Sequence, residues 1–527
     1  MGCCCAHGNG NEGPREREGS APLMNRRTFG GIAATAAVAG ASLLQGAALA
    51  GDPFEDWDPA APRNPGGKVL RVQPVLMVRF QSPRPQRSWR SWSDINNPAA
   101  AEQEAKRIEA ELAGLKQTLR RNVEFLPVRT VTTEDELPAV RQDAFDAMLL
   151  YPATGGGGLL QACFAAAGGK PIVLFARHAN GPIYYWYEAL STRYLNKNTD
   201  PAWRQNAPGS PLAPTVDDVA IDDYAEVAWR LRGLFGRHNL IGAKVMCLGG
   251  VWGKYDEAAP RVAQDRYKLD LVEVPYPEVT ARFHAAEEDG KLRNAAEKWT
   301  DAFLALPKTT LAAQRECLVR AFMEYAVVKQ FLRELDCTAF TIRDCMNAAW
   351  SEFQTTPCMI IGWLADEGIP AFCEADFVVV PAGILLHHVA GTPVFLHNST
   401  FPHDGVVTCA HCAAPRRMDG EHYEPLKVVT HYESDYGAAP KVDMKVGQRV
   451  TFINPEYSLP RWVGMTGTIR ANPAYEICRT QQEVAIDGDW RKLLNEVRDS
   501  HWLMAYGEHK KPIAYAARKI GVDYVEI

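Results

Sequence analysis

Runs of β-type residues alternate with helical periodicity along most of this chain, and this alternation restricts the possible folds more than any other feature. A strand-like run at 68–80 is followed by helical periodicity over 99–121, and later strands and helices are joined by short turns that contain glycine. Alternation of this kind favours parallel sheets covered by helices. The sequence therefore predicts an α/β fold with doubly wound parallel sheets.

The pattern changes beyond Thr392. Short β-type runs separated by turns continue from there, and helical periodicity returns only at 490–497. Such a succession is typical of an antiparallel sheet or a small barrel. A proline-rich break at 198–215 indicates a further junction within the α/β part. The predicted divisions are an N-terminal extension with an export signal (1–50), a linker (51–67), a first α/β domain (68–210), a second α/β domain carrying Glu374 (211–391) and a β-rich, barrel-like C-terminal domain (392–527).

Composition narrows the class of partner. The chain has 527 residues, 46% of them apolar and 23% charged, which is ordinary for a soluble globular protein. The formal net charge is −6 and no long basic run is present, which disfavours a nucleic-acid partner. A small polar molecule is the expected substrate.

The N-terminal region carries a targeting pattern. Arg26 and Arg27 precede a weakly apolar stretch rich in alanine and glycine, which ends in the small-x-small sequence Ala48-Leu49-Ala50. This pattern is typical of a twin-arginine export signal, with Met24 as the start of translation. A membrane anchor is the alternative, but the apolar run is short. We expect an exported protein, periplasmic or extracellular, without a stable membrane span after cleavage.

Potential metal ligands are concentrated between residues 369 and 415. Glu374 follows a strand-like run, and Asp376 comes two residues later; His397 and Asn398 end a second run, and His411 ends a third. A carboxylate and two imidazoles at strand ends suit a divalent metal such as Mn, Fe, Co or Zn. The alternative is that each histidine is structural. Asp376 is expected to orient a ligand, and Asn398 could contact a sugar hydroxyl.

The cysteines give no comparable signal. Cys409 and Cys412 form a C-x-x-C pair that could bind zinc or act as a redox couple, but the chain offers no second pair at suitable spacing. We expect the cysteines beyond the N-terminal extension to be free and mostly buried.

The segment CEADF, the strand GTPVFLHN and the later CAHC resemble the catalytic core of the L-fucose and L-arabinose isomerase family. In that family a Glu-x-Asp motif, an acid at the end of a Gly-Thr-x-x-Phe strand and a later histidine belong to a manganese site. The resemblance implies metal ligands at Glu374, His397, His411 and, more loosely aligned, His501. The sequence departs from the family at His397, where those isomerases carry their second acid.

The resemblance implies aldose–ketose isomerisation of a pentose or 6-deoxyhexose through a metal-held enediol. Glu374 and His397 would be catalytic. Mn²⁺ is the expected cofactor, with Zn²⁺, Fe²⁺ or Co²⁺ as alternatives, and a homo-oligomer (trimer or hexamer) is expected. Two other functions stay open: a non-catalytic carbohydrate-binding relic, and another metal-assisted carbohydrate enzyme such as a hydrolase or epimerase. The sequence does not specify the sugar, or whether His397 leaves the site active.

Overall fold

A computed structural model of the chain describes residues 66–80, 95–178, 211–346, 348–457 and 460–527, together with positions 54, 57–61, 63, 85–86 and 194–195. The helices and strands given below all lie within residues 58–527. The predicted export signal, including Arg26 and Arg27, lies outside the described residues, as does part of the predicted linker. Within the described part of the chain, no helix is long and apolar enough to cross a membrane.

Strands occur throughout the described chain. They are β1 (Leu70–Met77), β2 (Val123–Phe125), β3 (Arg129–Val131), β4 (Ala147–Pro152), β5 (Ile172–Ala176), β6 (Val219–Ile221), β7 (Lys244–Leu248), β8 (Asp270–Val274), β9 (Thr309–Leu311), β10 (Ala339–Ile342), β11 (Ala371–Phe372), β12 (Phe395–Ser399), β13 (Val406–His411), β14 (Leu426–Val429), β15 (Ala439–Val442), β16 (Arg449–Pro455), β17 (Arg461–Ala471), β18 (Thr480–Ile486), β19 (His501–Tyr506) and β20 (Asp523–Glu526).

Most helices lie in the first three quarters of the chain. The helices are α1 (Pro98–Leu119), α2 (Leu137–Gln142), α3 (Gly157–Ala166), α4 (Tyr224–Leu240), α5 (Ala259–Tyr267), α6 (Tyr276–Asp289), α7 (Lys291–Leu304), α8 (Arg315–Glu334), α9 (Ala348–Phe353), α10 (Cys358–Glu367), α11 (Val380–Ala390), α12 (Trp490–Glu496) and α13 (Lys510–Lys519). Local sequence explains where α1 begins: the Asn97 side chain accepts the Ala100 N–H, and Pro98 occupies the first turn.

Two sheets consist of parallel strands, as the alternation of strands and helices predicted. The first has the order β2-β1-β4-β5-β6, with β3 also paired to β1. Neighbouring residues of β4 enter different hydrophobic clusters: Leu149 packs with residues of α1 and α4, and Leu150 with residues of α2 and α3. The second sheet has the order β11-β10-β7-β8.

The C-terminal region is a closed barrel of six antiparallel strands, which confirms the predicted change to a β-rich fold. The barrel order is β16-β19-β12-β13-β18-β17, and pairing of β16 with β17 closes it. Strand β20 joins β17 in parallel, and β15, β14 and β9 form a separate small sheet. The cysteines of the described chain are buried except for the half-buried Cys337, as expected.

Helix α11 joins the second sheet to the barrel. All of its residues are buried, as expected for a helix that is apolar on every side. It shares one hydrophobic cluster with Phe372 of the second sheet and with Leu396 and Leu503 of the barrel. Gly383 permits this close approach, because a Cβ at that position would overlap the Phe372 ring. The carboxyl edge of the second sheet is therefore held against the barrel.

Candidate metal centre

The candidate site lies where the carboxyl edge of the second parallel sheet meets the barrel. The loops after β7 and β11 meet at this edge, where Trp252 and Asp376 form an isolated parallel bridge. From the barrel, His411 ends β13 and His501 begins β19. Open parallel sheets commonly bind ligands at this edge, outside the carboxyl ends of their strands.

The turn that follows β11 is conformationally unusual. Glu374 and Ala375 are consecutive residues in the left-handed region, with φ angles of 67° and 49°. Each such residue other than glycine costs about 1–3 kcal/mol and persists only when its surroundings hold it. The Trp252 N–H donates to the Ala375 carbonyl (3.2 Å), and the Phe377 N–H donates to the Trp252 carbonyl (2.9 Å). These bonds fix the turn that carries Glu374.

Asp376 is fully buried and uses both carboxylate oxygens. Oδ1 accepts the backbone N–H groups of Lys254 (2.9 Å) and Val378 (3.1 Å). Oδ2 lies 2.7 Å from Nδ1 of His501. Because an ionised carboxylate can only accept, Nδ1 carries the proton, and in the neutral ring Nε2 therefore presents a lone pair. A metal-binding histidine is oriented by a carboxylate in this same way.

Two buried acceptor atoms face each other beside this contact. Oε2 of Glu374 lies 3.3 Å from Nε2 of His501, and among the described residues it has no hydrogen-bond donor. With neither atom protonated, the contact is unfavourable unless a cation compensates it. Two ligands each about 2.1 Å from a divalent metal are separated by roughly this distance when their bonds meet at about 100°. The pair therefore suits a metal ion.

His411 approaches the other oxygen of the same carboxylate. Its Nε2 lies 3.7 Å from Oε1 of Glu374, and its Nδ1 accepts the Ala413 N–H (3.1 Å). Because Nδ1 accepts, the proton of the neutral ring is on Nε2, directed toward the carboxylate. The 3.7 Å separation is longer than a hydrogen bond, and His411 would have to give up the Ala413 contact to bind a metal through Nε2.

Together these residues form a buried cluster with the composition of a metal site. One donor atom from each of Glu374, His411 and His501 lies within 4.8 Å of the others, and the same holds for Asp376, Asp499 and His501. The buried residues Glu374, His411, His501 and Asp376 could therefore hold a metal ion. Their mixed oxygen and nitrogen donors fit several divalent metals and do not identify one.

The charges of the cluster keep Glu374 ionised. Burial alone would raise the pKa of its carboxyl, but His501 when its ring is protonated, His411 and Lys254 lower that pKa well below its ordinary value. Burial, with a contribution from Asp376, raises the pKa of Asp499 to about 6. Asp499 accepts the His501 backbone N–H at 2.9 Å. The cluster therefore holds one carboxylate that is firmly ionised and another close to titration.

Lys254 supplies the cation of this cluster. Its Nζ lies 3.2 Å from Nε2 of His501 and 3.8 Å from Oε2 of Glu374, and its side chain is 12% exposed. The turn around Lys254 has the sequence of an ordinary strand-to-helix connection, and Asp499 lies in no motif. Sequence reasoning missed both residues. The nearest available signals were a lysine in a glycine-rich turn after a strand, and an aspartate two residues before His501.

His397 and Asn398 occupy neighbouring positions on β12. Asn398 pairs with His501 across β12 and β19, whereas His397 pairs with Trp502. Successive strand residues point to opposite faces, so His397 and His501 lie on different faces of this strand pair. The His397 ring is fully buried beside Phe395, and it does not belong to either group of close metal donors in the described part of the chain. Its predicted role as ligand and catalyst stays a prediction, as does sugar contact by Asn398.

Comparison with known proteins adds no family assignment: no family model and no curated protein matches the chain. The resemblance to L-fucose and L-arabinose isomerases therefore depends on the motif residues alone. What the fold adds is their convergence, since Glu374, His411 and His501 come from three separate elements and meet in one buried cluster.

Proposed function

We propose that this chain is an exported, metal-dependent sugar isomerase that interconverts an aldose and a ketose, with a pentose or 6-deoxyhexose as substrate. The observation that carries the proposal is the contact between Asp376 and His501, which leaves the His501 Nε2 lone pair facing the Glu374 carboxylate. The proposal includes Mn²⁺ as the preferred metal, a doubly wound arrangement of both parallel sheets, and a trimer or hexamer.

The residues of the cluster fit the proton transfer that such a reaction needs. A divalent metal, when bound, polarises the carbonyl and neighbouring hydroxyl oxygens of the sugar. Glu374 is ionised and buried, so it can take a proton from the carbon next to the carbonyl and return it to the adjacent carbon. His411 Nε2 lies 3.7 Å from Oε1 of Glu374, close to the carboxylate but beyond hydrogen-bond distance.

His397 is the proposed second catalytic group, in the position where the resembled isomerases carry an acid. Burial lowers the pKa of its ring to about 3, so the ring is neutral at pH 7. A neutral imidazole can accept a proton, but a pKa this low makes it a weak base at neutral pH. Support for Glu374 as the proton carrier is therefore more direct than support for His397.

The deciding experiment is metal-dependent deuterium incorporation at C2 of pentoses and 6-deoxyhexoses in heavy water. We expect incorporation by the wild-type protein with Mn²⁺ or another divalent metal, and a loss of roughly 10²–10⁴-fold in Glu374→Gln. Glu109→Gln, at an exposed position of α1, is the matched control and should retain full activity. Absence of exchange with every metal and sugar tried would reject isomerisation.

One observation favours a second candidate, the non-catalytic carbohydrate-binding protein. The Lys254 ammonium already contacts Nε2 of His501 and stands near Glu374, so the cluster has a cation of its own. A relic of the isomerase fold could keep this charge balance without a metal. Sugar binding that neither needs metal nor leads to exchange at C2 would support that candidate.

A further inference from the structure

We propose that Lys254 is an internal competitor of the metal, whose ammonium must leave Nε2 of His501 before a metal ion can bind there. This inference rests on the proposed metal site and assigns a role to a residue outside the motifs that suggested it. It concerns the metal affinity of the site and can be tested without any sugar substrate.

The first step of the argument is the single lone pair of His501. Nδ1 carries the proton that is donated to Asp376 at 2.7 Å, so only Nε2 can accept a bond. Lys254 Nζ lies 3.2 Å from that nitrogen. A neutral imidazole nitrogen has one lone pair, which accepts a hydrogen bond or binds a metal, but does not do both. Lysine and metal therefore exclude each other at His501.

The second step is charge. Lys254 Nζ is 3.8 Å from Oε2 of Glu374, the carboxylate oxygen that a metal would share with His501. A divalent ion placed between these two acceptors would stand close to the ammonium, and like charges at such distances repel strongly in a partly buried site. Two effects therefore oppose metal binding: the repulsion between the metal and the ammonium, and the loss of the hydrogen bond between Lys254 and His501.

The third step is the anchoring of Lys254, which keeps the ammonium near the site after displacement. Its backbone N–H is bonded to Asp376 Oδ1 at 2.9 Å. The next residue, Tyr255, has a φ of 65°, a conformation that a bulky residue rarely adopts. A Cβ on Gly253 would overlap the Asp256 carbonyl oxygen, so this turn requires glycine there. Because the backbone is held, only the flexible stem can move.

A displaced Lys254 would remain a donor at the rim of the site. Its side chain is 12% exposed, and the adjacent residue Tyr255 is 62% exposed, so the stem can turn outward beside Tyr255. From there the ammonium can donate to an oxygen of a bound sugar. The same residue would thus balance the charge of the metal-free cluster and contact substrate in the metal-loaded one.

The test is metal affinity by isothermal titration calorimetry, with Mn²⁺ and Zn²⁺, on the full chain. Lys254→Met keeps the stem and removes the charge, and we expect it to bind metal at least roughly tenfold more tightly than the wild type. Lys254→Arg keeps the charge and should bind no more tightly than the wild type. Lys427→Met, at an exposed position of β14, removes one positive charge elsewhere and should change affinity less than twofold.

A thermal readout covers the case in which Lys254→Met folds poorly. At a given metal concentration, stabilisation of the folded state grows with the logarithm of the metal affinity, so the rise in Tm on metal addition should be larger in Lys254→Met than in the wild type. Unchanged or weaker metal binding by Lys254→Met, or no binding by either protein, would overturn the inference. Tighter binding by Lys254→Met without deuterium exchange in any protein would support it while rejecting isomerisation, so the two failures are distinguishable.

Discussion

Strands β12 and β19 place two histidines in opposite surroundings. His501 lies on the face that meets the second sheet, where Asp376, Glu374 and Lys254 supply charges. His397 lies on the other face, with its ring centroid 5.3 Å from that of Phe395 and its Nε2 without a hydrogen-bond partner among the described residues. Both histidines are fully buried.

The difference shows that burial alone does not prepare a histidine for chemistry. For His397, burial dominates and lowers the pKa of the ring to about 3. For His501, a carboxylate sets the tautomer and directs the lone pair toward a second carboxylate. The same residue type is thus a weakly basic ring on one face and an oriented acceptor on the other.

The largest expected effect is a difference in metal affinity between variants of these two histidines. His501→Gln should weaken metal binding by about 10³-fold. It removes the imidazole ligand and also the contact through which Asp376 orients that ligand. His397→Gln should weaken binding by about tenfold or less, since its ring lies on the other face. Calorimetric titration with Mn²⁺ and Zn²⁺ measures both. Equal losses would place His397 among the ligands and break the comparison.

The next effect tests whether Asp376 sets the tautomer of His501. In Asp376→Asn the amide can donate as well as accept, so Nδ1 of His501 no longer has to carry the proton. We expect metal affinity to fall by about 10–100-fold. ¹⁵N chemical shifts of the His501 ring provide the direct check. Retention of the same tautomer in the variant, with full affinity, would show that the carboxylate is dispensable.

The next prediction tests the surroundings of His397 through the pH dependence of the free energy of unfolding. Its pKa is about 3 in the folded protein and about 6.5 in an unfolded chain. As pH falls below about 6.5, the His397 ring is protonated in the unfolded chain but stays neutral in the folded protein. The free energy of unfolding therefore decreases on acidification.

Between pH 7 and 5 this loss amounts to roughly 2 kcal/mol from His397 alone. Urea unfolding at a series of pH values should therefore show a shallower pH dependence for His397→Gln than for the wild type. For each protein, the free energy of unfolding at each pH is compared with the value of that same protein at pH 7. Parallel curves for both proteins would mean that the His397 ring titrates normally.

The smallest effect concerns His411. Because its Nδ1 accepts the Ala413 N–H, His411→Gln should weaken metal binding by less than about tenfold, clearly less than His501→Gln. The same titration decides the matter. A loss as large as that of His501→Gln would show that His411 abandons the Ala413 contact and binds through Nε2.

The sequence predicted the main classes of structure and four residues of the cluster, Glu374, Asp376, His411 and His501. Alternating patterns gave parallel sheets, and the change beyond Thr392 gave the barrel, because both depend on local periodicity. The strand expected before Glu374 is only Ala371–Phe372. The residues after it enter the left-handed turn, which is held by hydrogen bonds to Trp252. No local pattern could show that dependence.

The tautomer of His501 and its contact with Lys254 could not be predicted from the sequence either, because both depend on residues that are distant along the chain. The His501 tautomer depends on Asp376, 125 residues away, and Lys254 reaches His501 across 247 residues. Lysine and aspartate are common surface residues, so neither Lys254 nor Asp499 stood out. Motif residues were recognisable one by one, whereas their partners required the fold.

The long sequence separations within the cluster also bear on how the protein is made. His501 leaves the ribosome later than the turn after β11, and that turn cannot gain its contact with His501 before then. A nascent chain therefore contains no assembled site, and any metal that binds would select the finished fold. Metal bound at the cluster would then indicate that the chain has folded completely. The free energy of metal binding would also stabilise the contact between the barrel and the second sheet.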